Sequence, residues 1–598
     1  MSNHISQLSV QAKAGTSNMP TVPVPSLIEL VATLLGLILK AKQIEPALAG
    51  LTNTYRIGNT TATAYEFLFG ERAANPLIAA VDEIHSLVKG NVPDLIRQIL
   101  ESGPGSSTQA AILPRPLDQP EQFSIGWTNY ANVYKNAQSQ LARWTSTLIN
   151  RTDATKEFWP TIANYGFGYN LLFLDLVTNV KKPEFKKLFG PAWTSAMDKM
   201  QAEDRLYAID LRIFENFPAT AGSTPRFTPG TITLLEQDAE TKALNPVTVR
   251  VSSQAKEVIY SANSASSGAW LYALQAAKTS ATVYGIWLGH VYHLHIVTAA
   301  MLGTFHKNIT DSDHPIYQLL QPRSDYLIGF DAVLLNLWDI APPTSFDTPD
   351  KFLQLADRFA SGRNFSDDDP KATIAVQALD VKKFTKISEW DLYPVAQQLL
   401  RIWNIAESLV NVFVEATYNS DKAVADDQPL QAWMKAAAAP TASGGGNVRG
   451  LPVMNTRQAL KSVLTSVIYR ITAHGISRMN NSVNPVLTFM ANYPPCLQNA
   501  ELPEADATLS TADLLKMLPW TNTMGEQLRF YYVFVFSPPY VPLIPPGGVT
   551  SDLPFPGGPE EKRNKAMIDF RTKMIAFIHG YDPAVPEQVK QWELNIET

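Results

Sequence analysis

The chain has 598 residues, 45% apolar and 17% charged, with 49 Lys and Arg against 55 Asp and Glu for a net charge of −6. Without a basic excess, electrostatic binding of nucleic acid is excluded as the main function, and 31 Gly with 42 Pro exclude collagen-like or low-complexity chains. The single cysteine, Cys496, excludes an intrachain disulfide and a cysteine-built zinc or iron–sulfur centre, and reads as the mark of a reducing, cytoplasmic setting.

In chain order, residues 1–25 are mostly polar and read as a flexible arm. The apolar run Leu27–Leu39 contains Glu29 and falls short of the ~20 residues that a bilayer span needs, so no transmembrane segment is expected. Residues 26–49, 76–102, 125–150, 166–180 and 191–202 read as helices. A β patch follows at Arg205–Leu211, Thr231–Glu236 and Val247–Val251, where β-branched and alternating residues flank a polar turn. Helices return over 268–306, 389–418 and 454–480, with a Gly-rich loop at Pro440–Pro452 and a last helix near 559–579. Helices this apolar all round are buried. The expected fold is therefore mostly α, one large helical domain over residues 26–598 with a small β-hairpin or sheet element.

Five of the nine histidines, His290, His293, His295, His306 and His314, fall within 25 residues. The first three share the most apolar helix, so they form either a hydrogen-bonded core network or a metal or catalytic site. On an α-helix 290 and 293 share a face, while 290 and 295 lie about 140° apart; a π-bulge would bring i and i+5 together. His474 lies on another apolar helix with Arg478 at i+4, on the same face or on a polar face that reaches solvent.

Several stretches resemble lipoxygenases. Asp204–Leu211 is similar to the strand before that family's catalytic core, and Trp270-Leu271-Tyr272-Ala273 to the opening of its first metal-binding helix. His314-Pro315-Ile316-Tyr317-Gln318-Leu319-Leu320 resembles its His-Pro motif, Leu400–Trp433 another stretch, and Gly450-Leu451-Pro452 with Thr456-Arg457 the loop before its second metal helix. The matches keep the family's order. With residues 1–120 reading helical, the chain resembles the short members that lack an N-terminal β-sandwich.

The resemblance implies non-haem iron or manganese, held by two histidines of a His-x4-His pair, a histidine and a partner four residues later on the second helix, and the C-terminal carboxylate. Counting from Trp270, the family's two ligands and a following non-ligand histidine fall at Gly285, His290 and His295. The third ligand falls at His474, the fourth at Arg478 or, shifted by one, Met479. The chain ends in Thr598 rather than isoleucine. Glycine has no side-chain donor, and a guanidinium has no lone pair to give, so no metal cofactor is expected. The alternative register takes His290 and His295 as the pair, with His474 and Thr598 completing an iron or manganese site.

Three functions follow from the resemblance. The first is a metal-independent isomerase or cyclase of a polyunsaturated or polyketide-like substrate, with His290, His474 and Arg478 catalytic and Gly285, Tyr292, His293 and His295 lining the pocket. The second is a lipid dioxygenase with a rearranged metal site. The third is a non-catalytic lipid binder. The expected partner is a hydrophobic small molecule, with peripheral membrane contact open.

Overall fold

The computed structural model describes mainly residues 150–163, 174–320, 345–365, 394–483, 494–517 and 547–580, with a few positions inside these ranges excepted, and the short strands 54–57, 60–63, 541–542 and 595–596. The expected arm and the helices at 26–49, 76–102 and 125–150 lie outside the described residues.

In chain order, β1 (Thr54–Ile57) and β2 (Thr60–Thr63) form an antiparallel hairpin inside residues 1–120, a stretch read from sequence as helical. Helix α1 is Arg151–Ala163. The main sheet has five antiparallel strands in the order β3-β4-β6-β7-β8. They are β3 (Leu174–Leu176), β4 (Leu206–Leu211), β6 (Gly230–Gln237), β7 (Leu244–Ser252) and β8 (Glu257–Ser261), and the two-residue β5 (Arg226–Phe227) pairs instead with β9 (Leu497–Gln498).

The period-two pattern divides this sheet cleanly. Tyr207, Ile209, Leu211, Leu235, Val249, Val251 and Tyr260 face the helical core. Leu206, Ala208, Ile232 and Leu234 cover a smaller cluster with Phe185, Phe189, Trp193 and Met197. Two expectations are corrected here. The helix read over 166–180 gives way at Leu174–Leu176 to an edge strand, paired Leu174 to Ile209 and Leu176 to Tyr207. The β element is also wider than the 205–252 hairpin, because β3 and β8 extend it on both sides. The fold is helix-rich with a real sheet, not all-α.

Helix α2 (Ser267–Val283) starts where Ser266 Oγ accepts from Ala269 N at 3.1 Å. Its residues 268–283 are all buried, including the polar stripe Gln275, Lys278, Thr279 and Thr282, so protein lies on every side. Gly268 meets the chain closely: a Cβ there would stand 2.5 Å from Leu509 O. The rod continues as a π-helical segment, Tyr284–Thr298, and returns to α-geometry in α3 (Ala299–Asn308). The expected helix over 268–306 is thus one rod with a rewound middle.

The rest of the core is α4 (Pro349–Ala360), α5 (Pro394–Thr417), α6 (Gln428–Ala438), α7 (Arg457–Val483) and α8 (Lys562–Gly580). Helix α5 packs on both α7 and α8, and α3 packs on α6, where Trp433 Nε1 donates to Met301 O at 2.9 Å. Helix α7 also packs on the π segment and on the last strand, β11 (Asn595–Ile596), which pairs with β10 (Val541–Pro542). Among the described residues no helix is long and apolar enough to cross a membrane.

Candidate active site along the π-helical segment

Gly285, His290 and His295 are spaced five apart on the π segment. With i→i+5 hydrogen bonding a turn takes ~4.4 residues, so five residues advance about 50° past one turn instead of the 140° of an α-helix. The rewound backbone therefore stacks these three positions along one side of the rod. The hydroxyl of Thr298 donates to His293 O at 3.1 Å, also five residues back.

Opposite runs α7, helical without interruption through Arg470, His474 and Arg478. Spacing by four puts the three positions on one slowly drifting stripe. Arg470 anchors that stripe. It is fully buried, its guanidinium lies 4.0 Å from the centroid of the Phe365 ring, and its Nη2 donates to Phe365 O. Burial, with the charges of Arg470 and Arg363 beside it, holds His293 well below the usual histidine range, so this imidazole is neutral. Through Arg470 the stripe reaches the π segment, and positions 474 and 478 continue it. Gly285 is buried. His290, His295, His474 and Arg478 are placed by their backbones alone, and Thr598 lies outside the described residues, two residues beyond β11.

Tyr292 and His293, expected in the pocket, both meet the Phe359 ring of α4, with centroids 5.9 Å and 6.1 Å away. Arg363 lies over the same Phe359 ring, 4.4 Å from its centroid. Burial raises the Tyr284 hydroxyl, while a hydrogen bond from Arg363 opposes the rise. Arg363 thus grips the first residue of the π segment, next to Gly285. Sequence reasoning missed both arginines. The signal for Arg470 was there, a lone cation inside Val467-Ile468-Tyr469-Arg470-Ile471, but nothing local marks Arg363. Among the described residues no group of three or more His, Cys, Asp or Glu side chains gathers as metal ligands.

A helical core with a π-wound central rod, a second long helix laid against it and the C-terminal strand on that second helix defines a lipoxygenase-type catalytic fold. The lipoxygenase family model matches residues 360–523, which include α7. A linoleate 9/13-lipoxygenase of Pseudomonas aeruginosa is 24% identical over 437 residues, 68% of this chain and 61% of that protein. A fungal lipoxygenase of Fusarium graminearum superposes with a TM-score of 0.57 at 14% identity, covering 98% of this chain and 99% of that one. A coral 8R-lipoxygenase superposes with a TM-score of 0.59 at 14% identity, covering 81% and 76%. The chain spans about three-fifths of the length of the bacterial relative. The chain has the lipoxygenase fold and is similar to lipoxygenases at low sequence identity.

Proposed function

We propose that the chain is a lipoxygenase-fold enzyme that isomerises or cyclises a hydrophobic polyunsaturated substrate without a metal, at the position where the family holds one. The observation that carries this reading is the residue set on the two facing elements. In the family register the first ligand position is the buried Gly285, and the fourth is Arg478, one turn from His474. A glycine offers no donor and a guanidinium repels a dication, about 8 kcal/mol for +1 against +2 at ~4 Å and an effective dielectric of 20. In this register the residues do not fit the family's metal.

What remains is acid–base chemistry. A neutral imidazole at His290 or His474 takes a proton from carbon only when a conjugated carbonyl acidifies it, and Arg478 supplies the fixed positive charge for the resulting enolate. Return of the proton at another carbon shifts the double bonds. This favours a polyene conjugated to a carbonyl, polyketide-like, over a plain fatty acid. The bacterial relative's name, a linoleate lipoxygenase, supports a long apolar chain as the rest of the substrate.

A second reading rests on the π winding, which brings positions 290 and 295 into the i, i+5 relation of a His-x4-His pair. His290, His295, His474 and the Thr598 carboxylate would then hold iron or manganese, and the product would be a lipid hydroperoxide. Elemental analysis of the purified protein separates the two, run beside turnover in D2O with oxygen uptake recorded. The first reading expects deuterium in the product, no oxygen uptake and no stoichiometric metal. Near one iron or manganese per chain, lost together with activity in His290→Ala, would overturn it.

A further inference from the structure

One ring of α4 meets the π segment at three places. The Phe359 centroid lies 5.8 Å from that of Tyr284, 5.9 Å from Tyr292 and 6.1 Å from His293, each edge to face. Tyr284 and His293 are nine residues apart. At ~4.4 residues per turn that spacing is two turns, and the two positions fall within about 20° of each other. At about 3.6 residues per turn it is two and a half turns, which sets them on opposite sides of the rod, where one ring could not meet both. Phe359 is buried, and Arg363, 4.4 Å over its centroid, hydrogen-bonds to the Tyr284 hydroxyl. Helix α4 is itself held from outside the rod. Arg358 Nη1 donates to Glu215 O at 3.1 Å, Lys351 Nζ donates to Ala219 O at 3.4 Å, and Asp357 pairs with Arg449 at 2.6 Å. The ring therefore reaches the rod from a fixed support.

We infer that Phe359 and Arg363 are positioning residues that hold residues 284–298 in the π register, and so keep positions 285, 290 and 295 on one side of the rod. Long π-helical runs are rare, so a run of 15 residues needs contacts that α winding would break. The Phe359 contacts are of that kind. On the π wheel, positions 285, 290 and 295 lie about 80°, 130° and 180° round from Tyr284, so the clamp grips the rod away from them. Reversion to α winding would turn 290 and 295 about 140° apart and undo their alignment. The inference rests on the π segment being the site, and it applies to the metal-free and the metal-bound reading alike.

The test reads backbone register and not turnover. In full-length Val291→Cys/Ile296→Cys the two new thiols stand at partly buried positions five apart on the π segment. Cα atoms five apart are about 6 Å from each other in a π-helix and about 8.7 Å in an α-helix, and a disulfide needs about 4.4–6.8 Å. Leu400→Cys/Ile405→Cys, with the same spacing on the α-wound α5, is the reference. Under diamide, with peptide mapping to set aside any bond to Cys496, the first pair is expected to close at least ~10-fold faster than the second. The closing rate follows the share of chains in the π register, so adding Phe359→Leu should remove that advantage and adding Arg363→Gln should cut it by ~3-fold or more. A rate unchanged by both substitutions, or a first pair no faster than the reference, would overturn the inference. Arg363 is half-buried, so Arg363→Gln still reads the register if Phe359→Leu does not fold. Because turnover is not scored, failure of the proposed chemistry and failure of the clamp are separate results.

Discussion

His314 Nε2 lies 3.2 Å from Asp427 Oδ2 and ties the turn after α3 to the N-terminus of α6. The other ring nitrogen, Nδ1, accepts from Ile316 N at 3.2 Å, so Nε2 carries the hydrogen and donates. Asp427 also accepts from Tyr418 Oη at 2.5 Å and caps α6 by accepting from Leu430 N at 3.0 Å. The His-Pro motif is therefore a structural clamp of three elements on one carboxylate.

Asp427→Ala should cost about 3 kcal/mol in chemical denaturation, since it strips three donors of their acceptor, and Tyr418→Phe about 1. Burial pushes the Asp427 carboxyl up, but His314, Tyr418 and the Leu430 amide outweigh it and hold the group below its ordinary 3.8. The clamp is then at full strength above the unfolded value and weakens as pH falls below about 3.8 toward the folded one. A stability–pH curve of Asp427→Asn that keeps the wild-type slope in that window would contradict this.

His306 gives a second acid-sensitive window at higher pH. Its Nε2 lies 2.6 Å from Ser324 Oγ, and burial lowers the ring to about 3 from 6.5. The unfolded chain takes up this proton first, so stability falls as pH drops from about 6.5 toward 3, by an order of a few kcal/mol. His306→Gln should flatten that limb of the urea-denaturation curve while leaving the Asp427 limb in place.

Arg470→Ala should destabilise by about 3 kcal/mol, through the lost ring stacking on Phe365, the lost bond to its carbonyl and a void beside the π segment. Arg470→Lys should recover little, because an ammonium cannot stack as a plane. Equal midpoints for Arg470→Lys and wild type in a thermal melt would show that charge alone matters.

Gly268→Ala should lose about 1–3 kcal/mol despite alanine's better helix propensity, because the new Cβ would meet the Leu509 carbonyl at 2.5 Å. A stability gain on differential scanning calorimetry would mean that the segment at Leu509 yields to the new methyl group.

The sequence alone determined the elements whose burial is written in their own periodicity. The β-branched run Val247–Val251 named a strand, and the apolar-rich stretch over 268–306 named a buried rod. The ordered motifs carried the resemblance to lipoxygenases. In one register they place Gly285 and Arg478 at ligand positions; in the other, His290 and His295 form the pair. Tertiary structure decided the rest. Whether residues 284–298 wind as α or π depends on which carbonyl each amide reaches, a choice of a single residue's register that composition does not record. Leu174–Leu176 became a strand because the edge of β4 was there to pair with. Arg363 and Arg470, more than a hundred residues apart, meet around His293 only once α4 and α7 have both docked on the rod. Their joint charge is a long-range sum over positions that no local pattern contains.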